Sequence, residues 1–440
     1  MFAAGLAAGT LILGIPAAQA GTGGEHPPSG VVSPTPAAGT PQLYATGTTE
    51  QVRQLVQCGG TMYAVGTFTE IQKGSTVYAR NNAFSFSATS PFQVTSWNPN
   101  VNGIVDSIAL SPDCSEAYLG GKFTSVNGTK VTDIAEVSTA TGGVNTAFGH
   151  TANGEVETLL YYKTHLLTGG YFTTINGGSA NPYFTSLNPA TGKDDGFLNL
   201  SISGHYQYSG VDPNPTRVYN QQLSHGGSLD LVEGDFTSVG GLPRQQIFML
   251  DLSGATAAVT GWTSSEFNQN CTYNEPFYLR AASWSPDDST VYTATTGYKP
   301  PGGNPDTGLC DAAAAFPAAQ TSVSHKWINY TGCDSLYSTA ADGLAAYFGG
   351  HERYSMNPAG CNSLGPGAYP AQGMEGVDPA NGALYINSAG TAGYYSRARG
   401  LGADDMLITS AGLWIASDNL NNASQCGGVG GHDGICLLPY

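Results

Sequence analysis

The stretch YLGGKFTSVNG at residues 118–128 decides the fold, because variants of the same phrase recur along the chain. The phrase combines a strand-like start, a pair of glycines, a phenylalanine and a turn. Six further copies are YAVGTFT at 63–69, LTGGYFTTING at 167–177, LVEGDFTSVGG at 231–241, YTATTGY at 292–298, YFGGHE at 347–352 and LWIASDN at 413–419. A phrase repeated in this way indicates a repeat architecture.

The spacing of the copies identifies the kind of repeat. Aligned positions 68, 123, 172, 236, 298, 352 and 419 lie 49 to 67 residues apart, which is the size of one β-propeller blade. Strand-like runs alternate with Gly, Asn-Gly and Ser-Pro-Asp turns, and no long apolar stripe of period 3.6 occurs. The chain is therefore predicted to be all-β, a seven-bladed β-propeller of four-stranded blades over residues 41–440.

The second repeat shows how one blade is laid out. Residues 105–110 are predicted as inner strand A, 116–123 as strand B, 133–138 as strand C and 143–148 as outer strand D. Strand D of successive blades carries one recurring aromatic residue: Trp97, Phe148, Phe197, Trp262, Trp327 and Tyr385. The glycine pair of strand B is interpreted as a place where the backbone of the next blade approaches closely.

The two ends of the chain are predicted to meet. The last repeat ends after its strand C, whereas residues 41–44 precede the first inner strand and place Tyr44 where a strand D aromatic residue should be. This N-terminal strand is expected to complete the last blade and close the ring, because closure removes an exposed sheet edge.

The second copy also suggests a family. GGKFTSVNG at 120–128, followed by a strand and an Ala-Thr-Gly turn, resembles the repeats of secreted bacterial β-propeller proteins grouped under a domain of unknown function and distantly kelch-like. The resemblance covers residues 41–440 and is clearest in the first four blades. It implies a secreted or surface-attached propeller and transfers no catalytic residue. Blades 5 to 7 depart from the pattern at Tyr298, Glu352 and Asn419 and carry cysteine-bearing loops.

Composition and the N-terminus indicate an exported protein. The 440 residues include 15 Lys and Arg against 32 Asp and Glu, a net charge of −17, which excludes nucleic acid and anionic membrane as expected partners. Residues 1–20 are apolar and end in Ala18-Gln-Ala20, as in a secretory signal peptide, although the missing basic start leaves an uncleaved membrane anchor open. Residues 21–40 are predicted to be a flexible linker. The expected location is extracellular.

Eight cysteines in an exported chain predict disulfides. Alignment of the repeats pairs Cys271 with Cys310 and Cys333 with Cys361, since each pair occupies two loops on one face. Two further pairs are expected, Cys58 with Cys114 in the A–B turns of adjacent blades and Cys426 with Cys436 at the end of the last blade.

Aligning the inner strands places one polar residue of each blade in a ring. The ring consists of Arg53, Asp106, Glu157, Gln221, Arg280, Asp334 and Asp405. A polar residue at one position of every inner strand is expected to face the mouth of the channel, where it could bind a polar ligand or a hydrated cation such as Ca²⁺. The structural alternative is that these side chains only accept backbone N–H groups in a preceding turn.

A second set of candidates lies at the ends of the B strands. It consists of Glu233, Asp235, His351, Glu352 and Asp418, with Tyr171 and Tyr298 at matching positions. Carboxylates there could hydrolyse glycosides, but solvated loop residues are the alternative, and no pair stands out. His351 and His432 are the only histidines expected to approach each other. No G-x-S-x-G, H-E-x-x-H or phosphate-binding loop occurs, so no catalytic residue, cofactor or metal site is assigned.

The favoured function is non-catalytic. The chain is expected to be a monomeric binding module for polysaccharide or a surface protein, acting through the face that bears its loops. The alternatives are a secreted carbohydrate-active hydrolase or lyase that uses carboxylates at the channel mouth, and a structural spacer.

Overall fold

The structure, a computed structural model, describes residues 23–178, 181–205, 215–268, 271, 277–297, 308–397, 399–420 and 432–440. Its regular elements are β-strands, apart from a single turn of 3-10 helix at Ser265–Phe267. The predicted all-β class is therefore confirmed. The predicted signal segment, residues 1–20, lies outside the described residues.

Twenty-one strands belong to the first four repeats. In chain order they are β1 (Gln42–Leu43), β2 (Gln51–Cys58), β3 (Thr61–Thr67), β4 (Glu70–Lys73), β5 (Thr76–Ala79), β6 (Ala83–Ser87), β7 (Ile104–Leu110), β8 (Glu116–Lys122), β9 (Ser125–Val126), β10 (Thr129–Lys130), β11 (Ile134–Ser138), β12 (Val156–Tyr162), β13 (His165–Gly170), β14 (Phe184–Leu187), β15 (Ile202–Ser203), β16 (Arg217–Leu223), β17 (Leu229–Asp235), β18 (Ser238–Val239), β19 (Leu242–Pro243), β20 (Ile247–Asp251) and β21 (Ala258–Val259).

The remaining twelve strands belong to the last three repeats. They are β22 (Leu279–Trp284), β23 (Thr290–Thr295), β24 (Ala312–Pro317), β25 (Trp327–Tyr330), β26 (Leu336–Ala341), β27 (Ala346–Gly350), β28 (Tyr354–Ser355), β29 (Tyr369–Pro370), β30 (Met374–Val377), β31 (Asp405–Thr409), β32 (Gly412–Ala416) and β33 (Ile435–Pro439).

Each inner strand begins one antiparallel sheet, and these seven sheets are named here I to VII. The strand orders are β2-β3-β6 (I), β7-β8-β11 (II), β12-β13-β14 (III), β16-β17-β20-β21 (IV), β22-β23-β24-β25 (V), β26-β27-β30 (VI) and β31-β32-β33 (VII). Short strands among the described residues form four smaller sheets, β1-β4-β5, β9-β10, β15-β18-β19 and β28-β29. The first strand of each sheet, its inner strand, contacts the inner strand of the next sheet, and β31 of sheet VII contacts β2 of sheet I. The inner strands thus follow one another in cyclic order.

The outer strand is shorter than predicted in most sheets. Sheets IV and V have four strands. In sheets I, II, III and VI a single bridge stands in place of the fourth strand among the described residues, for example Val137 with Val144 in sheet II. The predicted strand D aromatic residues are nevertheless buried at these places. Indole N–H groups of Trp97 and Trp262 donate to Ser138 O at 3.1 Å and Pro317 O at 2.9 Å, each in the next sheet. The aromatic residue therefore fastens one repeat to its neighbour.

The N-terminal strand pairs elsewhere than predicted. Residues 42–43 form β1, which pairs with β4 of the first repeat, so they do not complete sheet VII. Residues 33–37 lie along the edge of β33 instead, where Ser33 N donates to Pro439 O at 2.6 Å and Ala37 N donates to Leu437 O at 2.8 Å. Pairing with β4 is favoured because that strand offers an unpaired edge. Leu43 still contacts the last repeat, since its N–H group donates to Asp433 O at 2.7 Å and its side chain is buried in a core that sheets I and VII share.

The segment predicted as a flexible linker is packed over residues 23–40. Glu25 forms a parallel bridge with Tyr385 in the sixth repeat, and Val32 is fully buried in a core shared by sheets VI and VII. Its Pro and Gly content is typical of a linker. Backbone hydrogen bonds and the buried Val32 side chain nevertheless attach the segment to the repeats.

The two glycines of the repeated phrase have different neighbours. A Cβ atom on Gly120 would lie 2.6 Å from Val156 Cγ1 of the next sheet, as the sequence predicts. A Cβ atom on Gly121 would lie 2.2 Å from Ile104 O of its own sheet, because β7 bulges there. The second glycine is thus required by the bulge of the inner strand rather than by the next sheet.

The bulge recurs in sheets I to VI. In each, the register of the inner strand shifts by one residue opposite the phrase. The residues skipped by the pairing are Arg53, Asp106, Glu157, Tyr219, Arg280 and Tyr337. Sheet VII pairs without a shift. A bulge redirects a side chain, and these six line a common cavity.

Three of the predicted disulfides are confirmed. Cys58–Cys114 joins the A–B turns of sheets I and II, and the other two are Cys271–Cys310 and Cys333–Cys361. Cys426 lies outside the described residues, so its pairing with Cys436 stays a prediction.

We predict that Gly121→Ala destabilises the protein by about 1 to 3 kcal/mol, because the added methyl group must displace the Ile104 carbonyl. The free energy of unfolding in urea measures the effect. Gly60→Ala is the control, since nothing lies within 4 Å of its Cβ position. Equal stability of the two variants would contradict the interpretation that the bulge requires glycine at position 121.

Candidate functional site

A cavity of about 1580 Å³ is lined by residues of all seven inner strands. All seven residues of the predicted ring, Arg53, Asp106, Glu157, Gln221, Arg280, Asp334 and Asp405, are among its lining residues. Their convergence follows from the cyclic order of the inner strands. Their role in binding a ligand stays a prediction.

The ring differs from the predicted alignment in two repeats. The bulged residues of sheets IV and VI are Tyr219 and Tyr337 rather than Gln221 and Asp334. Gln221 is buried and donates to Thr158 Oγ1 of sheet III at 3.1 Å. Asp334 precedes strand β26 and is held by two arginines. Gln221 lies two residues after Tyr219 and Asp334 three residues before Tyr337, and both are polar, so the polar pattern of the sequence does not distinguish these registers.

Residues next to the bulge connect the sheets. Gln54 Oε1 accepts a hydrogen bond from Ile108 N at 2.7 Å, and Ser107 Oγ accepts one from Leu159 N at 3.0 Å. Asp405 Oδ2 accepts one from Leu55 N at 2.9 Å and so joins sheet VII to sheet I. Asp405 thus accepts a backbone N–H group, but from a strand of the neighbouring sheet and not from a preceding turn as the structural alternative expected.

Two ion pairs connect bulges to arginines across adjacent sheets. Arg53 contacts Asp106, and Arg217 Nη1 lies 2.8 Å from Glu157 Oε1. The pKa of Asp106 is raised to about 7, mainly by burial. The Arg53 charge acts against this increase, and the Glu155 carboxyl contributes to it. Burial likewise raises the pKa of Glu157 to about 7 against the attraction of Arg217. This wall therefore concentrates carboxyl groups that protonate near neutral pH.

The opposite wall concentrates arginines. Arg353 binds Asp334 through two hydrogen bonds of 2.7 and 2.8 Å, and Arg399 Nη2 lies 3.2 Å from the same carboxylate. Arg399 also donates to the carbonyl of His351, whose ring contacts the Tyr337 hydroxyl. Burial and the Arg399 charge lower the pKa of His351, so its imidazole is neutral at pH 7.

Charge in the cavity is nearly balanced although the chain is strongly acidic. Five of the eight arginines of the chain line the cavity, together with Lys122. The lining acids are Asp106, Asp133, Glu155, Glu157, Asp311, Asp334, Asp404 and Asp405. The formal charge of this surface is thus about −2, against −17 for the whole chain. A polar ligand would find both donors and acceptors there.

The second set of predicted residues is mostly absent from the cavity. Glu233, Asp235, Glu352 and Asp418 are fully buried instead of forming an exposed rim. Asp418, for example, accepts backbone N–H groups of Leu401 and Leu420 at 2.7 and 2.6 Å. Glu233 accepts from Asn220 Nδ2 of the inner strand at 3.0 Å, a contact between strands that the sequence pattern does not reveal.

Among the other members of this set, His351 and Tyr171 line the cavity, and Tyr298 lies outside the described residues. The approach of His351 to His432 is not observed as a contact, since His432 Nδ1 bonds Thr40 Oγ1 at 3.1 Å. In the part of the chain that the structure describes, no three His, Cys, Asp or Glu side chains are placed to hold a metal ion.

Comparisons with known proteins give only distant similarities. No family model matches the chain, and no curated protein is similar to it. The WD40 β-propeller domain of Doa1 is 12% identical, with a TM-score of 0.45, over 86% of this chain and 94% of that chain. U3-55K is 10% identical, with a TM-score of 0.48, over 92% of this chain and 100% of that chain. At these identities neither similarity says anything about function.

The described residues contain no helix long and apolar enough to span a membrane.

We predict that stability falls as pH rises from about 5 to about 8. Burial raises the pKa of Glu233 to about 8 and that of Glu375 to about 7, above the values in the unfolded chain. The folded state therefore binds more protons, and the stability present at acidic pH is lost as pH rises through these values. Unfolding in urea at the two pH values measures this.

The variant Glu375→Gln isolates one of these groups. Its loss of stability between about pH 5 and pH 8 should be smaller than that of the wild type by about 2 kcal/mol. Asp194→Asn, at an exposed position, should keep the wild-type slope. An unchanged slope in Glu375→Gln would contradict the raised pKa.

Proposed function

We propose that the chain is a closed seven-bladed β-propeller that binds polysaccharide in its central cavity without catalysis. The cyclic order of the inner strands supports the architecture, because Val52 N of sheet I donates to Ser417 O at 2.8 Å at the end of sheet VII. Residues 33–37 cover the edge of β33 and so take the place of a last outer strand.

The composition of the cavity carries the proposal. Its volume of about 1580 Å³ exceeds that of most small-molecule pockets and suits several sugar units. Tyr171, Tyr219, Tyr278 and Tyr337 line it among the charged residues. Tyrosine rings combine an apolar face with a polar tip, so they can pack on sugar rings while arginines and carboxylates bond hydroxyl groups.

An extracellular location, with the chain acting as a monomer, agrees with this function. Three disulfides indicate an oxidising compartment. Polysaccharides are abundant ligands outside the cell, and an acidic surface poor in lysine favours them over nucleic acid.

One observation favours the catalytic alternative, a hydrolase or lyase. Asp106 and Glu157 have pKa values of about 7 and lie near Glu155 in one wall of the cavity. A carboxyl group with such a pKa can donate a proton to a leaving group at neutral pH. Their pairing with Arg53 and Arg217 favours a structural role, so binding without turnover remains the main proposal.

The test uses purified residues 21–440, since residues 23–40 pack on the repeats. Binding to a panel of neutral and acidic polysaccharides is measured by calorimetry with and without Ca²⁺, and products are followed by chromatography. Binding without products is expected.

The variant Arg353→Gln places the site, because it removes a lining guanidinium and should weaken binding roughly tenfold. Lys130→Gln, an exposed charge outside the lining, is the control and should bind as the wild type does. Products lost in Asp106→Asn would establish the enzyme instead, and no binding to any glycan would direct the search to a protein partner.

A further inference from the structure

We propose that Arg280 is a carboxylate-binding subsite of the cavity, so that the ligand is an acidic polysaccharide containing uronic acid units. This inference rests on the proposed function and specifies its ligand class. It follows from the pairing of charges around the ring, from the surroundings of Arg280 and from the arginines of the adjoining wall.

The pairing of charges is interrupted at Arg280. Arg53, the bulged residue of sheet I, contacts Asp106, the bulged residue of sheet II. Arg280 is the bulged residue of sheet V, but the bulged residues of the sheets on either side are Tyr219 and Tyr337. Arg280 therefore lacks the carboxylate that its equivalent in sheet I has in the next sheet.

The Arg280 guanidinium lies between two aromatic rings. Its central carbon is 5.8 Å from the centre of the Tyr219 ring and 5.6 Å from that of Tyr337. Both distances allow a cation–π interaction, which restricts the side chain without using its N–H donors. Arg280 is exposed to the cavity and takes part in none of the ion pairs found among the described residues.

Nearby acids do not satisfy this cation. Glu157 and Asp404 are the carboxylates whose charges interact with Arg280. Glu157 is instead bonded to Arg217, and Asp404 forms no ion pair with Arg280. The five N–H donors of the guanidinium are thus directed at solvent in the cavity.

The adjoining wall adds positive charge. Tyr337 contacts His351, the His351 carbonyl accepts from Arg399, and Arg399 shares Asp334 with Arg353. Arg353 and Arg399 thus place two guanidinium groups on one carboxylate, although Asp311 and Asp404 line the same cavity. His351 adds none, because its imidazole is neutral.

The chemistry of the guanidinium group indicates the class of ligand. A guanidinium binds a planar carboxylate through two parallel hydrogen bonds, which a hydroxyl group cannot reproduce. Because the chain as a whole carries −17, a polyanion gains affinity only where a cation such as Arg280 has no carboxylate in an ion pair with it. Repeated uronic acids on one chain would supply one carboxylate to Arg280 and sugar faces to the tyrosines.

The experiment compares a uronate polymer with its uncharged methyl ester, beside two further uronate polymers. Binding of residues 21–440 to polygalacturonate, alginate and hyaluronate is measured by calorimetry, beside the methyl ester of polygalacturonate. At least one uronate polymer should bind, and its affinity should fall at high salt. Arg280→Gln should weaken that binding roughly tenfold or more, and it should weaken binding of the methyl ester less. Arg280→Lys should retain part of it.

Lys130→Gln is the matched control, since it removes one positive charge outside the cavity and should not change the affinity. Thermal unfolding verifies that each variant is folded. Equal binding of polygalacturonate and its methyl ester, or an Arg280→Gln variant that binds uronates as the wild type does, would overturn the carboxylate subsite and leave polysaccharide binding intact. Binding of neutral glycans alone would have the same meaning, whereas no binding to any glycan would reject both proposals.

Discussion

The contact between a bulged carbonyl group and the second glycine of the repeated phrase underlies the rest of the structure. A Cβ atom on Gly121 would lie 2.2 Å from Ile104 O, and five of the six bulged sheets have glycine at this position, whereas sheet V has Thr295. In sheets I to VI the bulge brings one residue to the cavity, and in sheets I and II the residue after it bonds the next sheet, as Ser107 does with Leu159 N. A single backbone irregularity thus produces both the lining of the site and the attachment between repeats.

The same irregularity helps to explain why a chain with few charged residues has a cavity lined by many of them. Only 11% of the residues are charged, yet five of the eight arginines line the cavity, and two of them, Arg53 and Arg280, are bulged residues. Arg53 of sheet I contacts the Asp106 carboxylate of sheet II. Arg280, by contrast, has a tyrosine on each side. Differences between repeats therefore give the cavity distinct walls, although the backbone of each sheet is similar.

Much of the fold could be predicted from the sequence, because the repeated phrase marks the middle strand of every sheet and the inner strand precedes it. The predicted strand B at 116–123 differs from β8 by one residue. The site was predictable where the repeats align without a shift, and it was misplaced at Tyr219 and Tyr337, where the alignment placed the nearby polar residues Gln221 and Asp334. The burial of Glu233 and Glu352 could not be predicted, since it depends on packing between elements, such as the 3.0 Å bond from Asn220 Nδ2 to Glu233 Oε2. Residues 33–37 pair through backbone atoms, which leave no pattern in side chains.

The hydrogen bond from Val52 N to Ser417 O has a consequence for how the molecule folds and fails. The two residues are separated by most of the chain, so their contact closes a very long loop. The entropic cost of closing this loop arises late in folding. During synthesis the first sheet has no partner on one side until the last repeat has emerged. An open row of repeats can lose its end units one at a time, but a chain whose first and last sheets depend on each other should unfold as one cooperative unit.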